Sequence, residues 1–505
     1  MQRKATTVTN RADEFTLTTG FDKGYRARED VTLLPPGILV HGSQNVLTNT
    51  SERIAIRKGF TLDGQADATI TPITSAFDWT KLSNNDRHMR SYSTKIQFRY
   101  VHPISGAIIW TDLASGFANS NFNYTNFWDT LELTNVLLFV NGTPNIFEWS
   151  GGVASFQSAT ANTITKSGTT TWAEEGFYSN GTRNVIIGGI VYNYTGGEGT
   201  TTLTGVTPDP TLGGHAVGDA VFQEIRTTAN AAMTAIDPNF KNDLIGNLLN
   251  QIFIASKSSF YLYVSQLSNY KDYSFSSPRL PGEGALITMG GYATCLINQE
   301  GDMYVSAGQD LWYRTEYVTT TVPDGAGNAI VFQDLNLNQL KTTVLQATQS
   351  QALTTKIKNN IAYVSFEPIV NYLGRVENIF LTPQIEDISF PIINDINSYN
   401  FTDGAIVYFR QFLYFSVPTQ GIVRVYNMTN PKNPYWEAPL TLPIARFSII
   451  DDSLYGHSYA VPETYKLFDG YNDNGADIDA IAVFSYNNYG IRSYRKNSTK
   501  FYVEG

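Results

Sequence analysis

Cysteine is almost absent from this chain of 505 residues, which contains a single one, Cys295. One thiol cannot form an internal disulfide, so the disulfide frameworks of small secreted proteins are excluded. Histidine is scarce too, and none of the histidines falls in a catalytic or zinc-ligand spacing. The five are His41, His88, His102, His215 and His457. The sequence therefore gives no support for a histidine-based active site or a zinc centre.

Charge and long apolar runs are also limited. Charged residues make up 16% of the chain, and 35 Lys plus Arg against 45 Asp plus Glu give a net charge of −10. No dense basic run is present, so tight nucleic-acid binding through phosphate neutralisation is not expected. No run approaches the ~20 apolar residues that span a bilayer, and "MQRKATTVTNRADEFTLTTG" has no apolar core of signal-peptide type. We expect a soluble protein without membrane insertion or Sec-type export.

The residue types that are abundant, tyrosine, phenylalanine and glycine, predict strands joined by turns. The chain contains 30 Tyr, 29 Phe and 40 Gly. In "IFIASKSSFYLYVSQLSNYKDYSFS", residues 252 to 276, two short apolar runs flank a polar turn, which predicts a β-hairpin. Similar units recur, as in "NVLLFVNGTPNIFEWSGG" and "GAIVYFRQFLYFSVPTQGIVRVYNMT". The repetition lies in the pattern of strand and turn, because no unit closely copies another.

The spacing of these units predicts a β-propeller. Seven β-rich units follow at roughly 35 to 55 residues, the length that a four-stranded blade requires. We expect an all-β protein with about seven blades, six and eight being the alternatives, and stacked β-sandwiches are the competing architecture. The predicted parts are an N-terminal arm with docking strands (1–69), first blades (70–158), a small inserted β domain (159–226), remaining blades (227–490) and a terminal strand (491–505).

Two segments fit this plan less directly. Residues 227–236 are rich in alanine, and Leu337, Leu340, Val344 and Ala347 fall at helical spacing, so a short helix is predicted at each place. The last residues, "NSTKFYVEG", read as a strand with no polar tail after it. That strand either closes a sheet or continues into a platform domain beyond residue 505.

An oxygen-rich segment near the end is the candidate metal site. "DGYNDNGADID" offers side-chain oxygens that calcium could accept as ligands. The candidate ligands are Asp469, Asn472, Asp473, Asp477 and Asp479. The spacing departs from an EF-hand loop and has no closing glutamate, and Asn/Asp/Gly clusters also form ordinary turns. We expect no other cofactor, and no pair of acids stands out as catalytic.

Several segments resemble the tail tubular or nozzle proteins of short-tailed bacteriophages. The matching stretches are "RIAIRKGFTLDG", "VLLFVNGTPNIFEWSGG", the hairpin of residues 252 to 276, and "LFDGYNDNGADIDAIAVFSYNNYGIRSYRKNSTKFYVEG". The resemblance spans most of residues 50 to 505. The segment "TWAEEGFYSNGTRNVIIGGIVYNYTGGEGTTTLTGVTPDP" also looks like a β module found inside phage propeller proteins.

This resemblance implies a structural role without catalysis. Such proteins form hexameric rings in the virion tail after synthesis in the host cytoplasm. They contact an adaptor ring and fibres or a spike, and viral DNA passes without sequence-specific binding. An acidic wall would favour sliding of DNA over adhesion. A carbohydrate-binding, receptor-recognising propeller is the alternative, since exposed aromatics can stack on sugars. A glycan hydrolase is less favoured, because it needs two carboxylates about 5 to 10 Å apart.

Overall fold

The fold is an all-β propeller. The computed structural model describes residues 24–28, 34, 38–48, 54–81, 85–229, 231–323, 329–340, 346–358, 360–367, 369–373 and 385–485. Within these residues, seven antiparallel sheets of at least four strands follow one another along the chain as blades, and a six-stranded sheet forms an inserted module. The expected propeller of about seven blades with an inserted β module is confirmed. No helix in the described residues is long and apolar enough to cross a membrane.

The described residues begin with short strands that lie outside the first blade. They are β1 (Tyr25–Arg26), β2 (Leu39–Val40), β3 (Val46–Thr48), β4 (Ile54–Ile56) and β5 (Phe60–Leu62). Blade 1 then contains β6 (Ser75–Lys81), β7 (Asn85–Tyr92), β8 (Lys95–Val101) and β9 (Ile108–Ala114). Each strand pairs with the next, so the blade is a simple meander that runs outward from the propeller axis.

The inserted module interrupts blade 2. The blade begins with β10 (Asn123–Asp129), β11 (Thr134–Val140) and β12 (Asn145–Trp149). The module strands are β13 (Val153–Thr160), β14 (Thr163–Lys166), β15 (Asn184–Ile187), β16 (Ile190–Asn193), β17 (Thr202–Thr204) and β18 (Ala220–Gln223). Then β19 (Arg226–Ala229) returns to pair with β12. The module thus begins at Val153, whereas the sequence placed its start at residue 159, because β13 follows β12 after only a short turn.

Blades 3 to 5 repeat the meander. Blade 3 is β20 (Leu244–Leu248), β21 (Gln251–Ala255), β22 (Tyr261–Val264) and β23 (Ala285–Thr288). Blade 4 is β24 (Ala293–Gln299), β25 (Asp302–Ala307), β26 (Leu311–Pro323) and β27 (Ala329–Gln339). Blade 5 is β28 (Thr354–Ile357), β29 (Asn360–Val364), β30 (Val370–Leu373) and β31 (Ile385–Asp387). Leu337 lies in β27, so the prediction of a helix is wrong at that residue, since cross-strand pairing overrides the local spacing; Val344, in the same predicted helix, lies outside the described residues.

The last two blades complete the ring. Blade 6 is β32 (Ile406–Phe409), β33 (Phe412–Val417), β34 (Ile422–Asn427), β35 (Tyr435–Trp436) and β36 (Leu440–Thr441). Blade 7 is β37 (Ile444–Ile450), β38 (Ser453–Ser458) and β39 (Thr464–Leu467), with β5 as its fourth strand. The helices in the described part of the chain are short: α1 (Ala231–Ile236), α2 (Ile393–Ile396) and 3₁₀ turns at Pro210–Gly213, Gln351–Leu353, Phe390–Ile392 and Pro418–Gln420. Thus α1 covers part of the alanine-rich segment predicted to be helical.

The apolar runs of the sequence are the middle strands of the blades. Every residue of β21 is buried, and so are Val136 to Val140 of β11. Strands with polar and apolar alternation need only one covered face, whereas these continuous runs are covered on both faces by neighbouring blades. Hydrophobic clusters of this kind occupy the junctions between successive blades from blade 1 to blade 7.

The remaining junction, between blades 7 and 1, is polar. Arg90 is almost fully buried there, donates to Thr464 Oγ1 at 3.0 Å and lies 4.4 Å above the Trp110 ring. Burial lowers the pKa of Arg90 to about 10, so its guanidinium remains charged at neutral pH. Arg99 forms a bidentate pair with Asp63 at 2.9 and 3.0 Å. We call this junction the polar seam.

The ring is closed by a strand from the start of the chain. Strand β5 pairs antiparallel with β39, in the register Leu62 to Tyr465, Thr61 to Lys466 and Phe60 to Leu467. The segment predicted as an arm, residues 1–69, therefore contains one strand of the propeller itself. Hydrogen bonds between residues about 400 positions apart join the first and last parts of the described chain.

The two ends of the described chain also run together over blade 6. Gln44 and Ile481 exchange backbone hydrogen bonds at 2.8 and 3.0 Å, and Ser485 N donates to Ile38 O at 3.0 Å. Residues 38–48, 54–58 and 472–485 form what we call the strap. Its central contact is Arg57, whose side chain is fully buried and donates to both carboxylate oxygens of Asp473 at 2.7 and 2.6 Å.

Replacement of Arg57 by Met should lower the free energy of unfolding by about 3 kcal/mol, because it leaves a partly buried carboxylate without its cation. The matched control is Lys95→Met. Lys95 and Asp112 form a similar pair at 2.7 Å, but both side chains are about 40% exposed, so this loss should stay below about 1 kcal/mol. Urea denaturation measures both changes, and equal losses would contradict the role of the strap.

A buried acid also joins the strap to blade 6. Glu437 is 1% exposed and accepts from Thr48 N at 2.8 Å, Thr48 Oγ1 at 3.0 Å and Asn427 Nδ2 at 2.9 Å. Burial raises the pKa of its carboxyl from 4.5 to about 7, and the three hydrogen bonds oppose that rise only in part. The folded protein thus binds this proton more tightly than the unfolded chain does.

Because the folded-state pKa of Glu437 is the higher one, stability should fall as pH rises from about 4.5 to about 7 and then level off. The total change from this group is about 3 kcal/mol. Glu437→Gln should remove that part of the slope, which urea denaturation at a series of pH values measures as a difference between the two proteins. Parallel curves for wild type and variant would show that Glu437 titrates normally.

Candidate assembly surface

The inner strands of all seven blades surround one central cavity of about 570 Å³. Amide side chains fasten neighbouring inner strands to each other. Asn247 Nδ2 donates to Asn126 O at 2.5 Å, Asn298 Nδ2 to Asn247 O at 2.9 Å, and Gln351 Nε2 to Leu296 O at 3.0 Å. These bonds hold successive blades in register around the axis, so the turns that follow the inner strands lie at fixed positions on one end of the propeller.

That end carries a repeated turn. After the inner strand of each blade from 3 to 7, the first turn residue has a positive φ near 50°. The residues are Leu249 (52°), Glu300 (51°), Lys358 (49°), Arg410 (47°) and Asp451 (47°). Where a turn of two residues joins right-twisted strands, both residues adopt this left-handed conformation, and Asn, Asp or Gly is favoured. In blades 4 to 7 this first turn residue is charged and exposed, whereas in blade 3 it is a leucine.

Leu249 is therefore unexpected on two counts. It is 67% exposed, so its side chain gains little from burial. A left-handed conformation costs a residue with a Cβ roughly 1–2 kcal/mol. A leucine that is both exposed and conformationally costly contributes little to the fold of the single chain, which indicates that its side chain has another use.

The corresponding turn of blade 2 repeats this combination. Leu133 has a φ of 51° and is 73% exposed, and Leu131 is 78% exposed. Asp129 Oδ1 accepts from Leu131 N at 2.8 Å and from Glu132 N at 3.2 Å, which fixes the turn. Glu132 faces the other way and accepts from Arg226 Nη1 at 3.0 Å, so the leucines are left pointing outward.

The turns of blades 2 and 3 are joined to each other. Asn250 Nδ2 donates to Trp128 O at 3.1 Å and to Ser268 Oγ at 3.0 Å, and Trp128 N donates back to Asn250 Oδ1 at 2.9 Å. Next to Ser268, Leu267 is 53% exposed. We call Leu131, Leu133, Leu249 and Leu267 the leucine turns. They place four exposed apolar side chains on one rigid end of the propeller, which is typical of a protein interaction site.

Blade 4 adds a long β-ribbon at the same end. β26 pairs with β25 only from Leu311 to Arg314, whereas its pairing with β27 continues to Pro323. Beyond Arg314 the described residues thus form a two-stranded ribbon. Val322 pairs with Ile330 and Thr320 with Phe332, so alternate side chains share one face.

The ribbon exposes aliphatic side chains on that face. Val318 is 38%, Val322 44% and Ile330 41% exposed. Its middle, where Gln333 pairs with Thr319, is fixed to blade 3, because Arg279 Nη1 donates to Gln333 O at 2.7 Å and Gln333 N donates to Arg279 O at 3.1 Å. The ribbon is thus anchored at its middle, and its outer part exposes Val322 and Ile330 on a face that carries Asp334 nearer the blade.

The calcium candidates do not converge on one point. Asp473 is held by Arg57, Asp469 Oδ2 accepts from Thr61 Oγ1 at 2.7 Å, and Asp479 Oδ2 accepts from Gln44 Nε2 at 3.0 Å. Asn472 Oδ1 accepts from Gly475 N at 2.9 Å, as in a turn, and Asp477 is exposed. Within the described part of the chain, no group of three His, Cys, Asp or Glu is placed to hold a metal.

One histidine pairs with a serine. His457 Nε2 lies 2.8 Å from Ser448 Oγ, and its Nδ1 lies 2.9 Å from Thr464 Oγ1. His457 and Ser448 are 0% and 2% exposed, and burial, followed by the charge of Arg90, holds the pKa of the histidine well below its usual range. A neutral, buried imidazole with two hydroxyl partners stabilises blade 7 and cannot meet a substrate.

Two further features could accept small ligands. A cleft of about 390 Å³ lies where the module joins blade 2. Both cations that line it are paired, Arg226 with Glu132 at 3.0 Å and Lys271 with Glu148 at 3.9 Å. At the opposite end from the leucine turns, Phe260 and Tyr292 stack with ring centroids 4.4 Å apart and are 45% and 46% exposed. This stacked, partly exposed pair offers aromatic surface on which a sugar could stack.

Comparisons with known proteins find likeness in fold alone. No protein-family model matches the chain, and no curated protein matches it. Among solved structures, the computationally designed protein Ika8 is 9% identical with a TM-score of 0.34 and covers 81% of this chain and 99% of its own. BamB from Moraxella catarrhalis is 7% identical with a TM-score of 0.32, covering 79% and 100%. BBS1N, determined in complex with ARL6DN, is 9% identical with a TM-score of 0.37, covering 84% and 100%.

Leu249→Asn should raise the free energy of unfolding by roughly 1 kcal/mol, because asparagine tolerates the left-handed conformation and little buried area is lost. Urea denaturation provides the measurement. Leu212→Asn is the matched control: Leu212 is 84% exposed but has no positive φ, so its change should stay within about 0.5 kcal/mol. A loss of stability in Leu249→Asn would mean that the leucine serves the fold.

Proposed function

We propose that this chain is a structural component of a bacteriophage tail, a nozzle ring that forms part of the DNA ejection conduit and a docking surface for other tail proteins. The observation that carries the proposal is the pair of exposed leucines with left-handed backbone, Leu133 and Leu249. Natural selection retains such residues against their conformational cost where a partner covers them. The sequence resemblance to tail nozzle proteins supplies the class of partner.

The propeller supports this role as a rigid building block. Its blades are fastened by apolar junctions, inner-strand amides and the strap, so it can transmit load without internal rearrangement. In this proposal the leucine turns dock on the tail protein stacked above or below, and the copies associate side by side in a hexameric ring. The role needs neither catalysis nor a cofactor, and the protein resides in the virion tail.

DNA would pass between copies and not through a propeller. The cavity of one propeller, about 570 Å³, has room for roughly 20 water molecules at ~30 Å³ each. A duplex does not fit in that space, so the conduit is the axis of the ring. A net charge of −10 suits a wall along which phosphates slide without binding.

A receptor-recognising, carbohydrate-binding propeller is the second candidate. The stacked pair Phe260 and Tyr292 favours it, because both side chains are nearly half exposed and aromatic rings can stack on the apolar face of a sugar. This function would place the binding site at the end opposite the leucine turns. The two candidates therefore predict different essential residues.

Native mass spectrometry and electron microscopy of the purified chain test the proposal. We expect a closed ring of about six copies with an axial opening wide enough for duplex DNA. A chain that remains monomeric at its highest soluble concentration would contradict the ring. If that monomer binds glycans on an array and Tyr292→Ala loses the binding, the carbohydrate-binding function replaces the tail function.

A further inference from the structure

The central cavity of the propeller is lined by a buried arginine that has no acidic partner. Arg446, in the inner strand of blade 7, is only 8% exposed. Its Nη1 donates to the backbone oxygens of Asp403, of Gly404 at 3.4 Å and of Ala445 at 2.9 Å. Among the described residues, its Nε and Nη2 have no hydrogen-bond partner, and no carboxylate lies within ion-pair distance of the guanidinium. Two of its three nitrogens are thus available to a ligand.

The charge of Arg446 is not compensated inside the protein. Burial lowers its pKa to about 10, and the charge of Asp403 opposes that shift only in part, so the guanidinium remains charged at neutral pH. Backbone carbonyls interact with it as dipoles and supply no negative charge. A buried cation without an anion is costly, because water is removed and no opposite charge replaces it. A bound anion would remove this cost.

A second unpaired cation lines the same cavity from blade 5. Lys356, in the inner strand β28, is exposed, yet burial lowers the pKa of its ammonium group. A side chain that extends into the cavity explains both observations, because water reaches it there while the protein wall surrounds it. In the described part of the chain, its side chain makes no hydrogen bond and no ion pair.

The wall of the cavity is more positive than the chain as a whole. The acid Asp78 is already engaged, since its Oδ1 lies 2.9 Å from His88 Nδ1 and its Oδ2 accepts from Ile449 N at 2.6 Å. The charged residues that line the cavity are Lys257, Lys356, Arg446, Asp78 and Asp403. Three cations thus face two acids in a chain whose net charge is −10. This local excess favours an anion.

We propose that the central cavity binds one phosphate group, with Arg446 as its fork of donors and Lys356 as a second positive charge. The planar guanidinium matches two phosphate oxygens. A phosphate group carries nearly two negative charges near neutral pH, which these two cations balance. The cavity of about 570 Å³ accepts a free phosphate ion or a small phosphate ester. All residues of this site belong to one copy, so the inference does not depend on the proposed tail function.

Isothermal titration calorimetry with inorganic phosphate at constant ionic strength tests the site. We expect saturable binding of one phosphate per chain, whether the chain is monomeric or assembled. Lys356→Met should weaken this binding about tenfold, the contribution of one hydrogen bond to a charged group. Since Lys356 has no contact to lose, the variant should fold normally. The matched control is Lys432→Met, which removes an exposed cation outside the cavity and should bind phosphate like the wild type.

Arg446→Lys tests the fork itself, because lysine keeps the charge but cannot present two parallel donors. It should also weaken phosphate binding about tenfold. If Arg446 served only to join blades 6 and 7, this variant would lower the thermal unfolding midpoint and leave the affinity for phosphate unchanged. Should Arg446→Lys fail to fold, Lys356→Met decides the question alone.

Glycerol phosphate in a parallel titration distinguishes the two sources of the group. Tighter binding than inorganic phosphate assigns the site to a phosphate ester, and weaker binding assigns it to the free ion. The absence of saturable binding, wild-type affinity in a folded cavity variant, or an equal loss in Lys432→Met would overturn the inference. None of these results bears on whether the chain forms a ring, so the two proposals fail separately.

Discussion

Everything in this molecule depends on the pairing of β5 with β39, which turns a row of seven sheets into a ring. A blade buries its middle strands on both faces only if it has a neighbour on each side. An open row would leave the outer faces of blades 1 and 7 uncovered. The closing contact also differs chemically from the others, because the polar seam uses Arg90, Arg99 and Asp63 where other junctions use apolar clusters. Charged pairs have strict geometry, so they specify one register of closure where apolar contacts would tolerate several.

A closed ring leaves two kinds of surface on which sequence can vary without loss of fold, the turns at the two ends and the outer strand edges. The functional candidates occur there. Among the turns that follow the inner strands, blades 4 to 7 place an exposed charged residue first and blade 3 places a leucine first, on backbones of nearly the same conformation. The other blades show that the conformation of Leu249 does not require leucine. The same local geometry accepts Glu300, Lys358, Arg410 and Asp451. The choice of leucine is not dictated by the backbone, and it marks the sector where the inserted module and the ribbon also emerge.

The sequence predicted the propeller because a blade is a local object: a run such as β21 and the turn before β22 lie within about a dozen residues of each other. It could not predict closure, because β5 and β39 are joined only through the whole fold. The calcium candidates illustrate the same limit. Their oxygens lie close in sequence, yet Arg57 and Thr61, far upstream, bind two of the five side chains. The leucine turns carried a weak local signal, since "LLNQ" places Leu-Asn where a hairpin turn belongs. Exposure and a positive φ, which made the signal meaningful, are properties of the folded chain. The terminal strand predicted at 491–505 lies outside the described residues.

Because β5 closes the ring, the order in which the ribosome makes the strands affects how the protein folds. The ribosome makes β5 early, but its partner β39 appears some 400 residues later, about 20 to 80 s at 5–20 residues per second. Until then β5 has no sheet to join, and the polar face of blade 1 that will form the seam stays in water, where its arginines and carboxylates are well solvated. An apolar face at that position would instead be exposed on the nascent chain for the whole interval. The polar seam therefore keeps the unpaired face of blade 1 well solvated, and the emergence of blade 7 determines when the propeller ring can close.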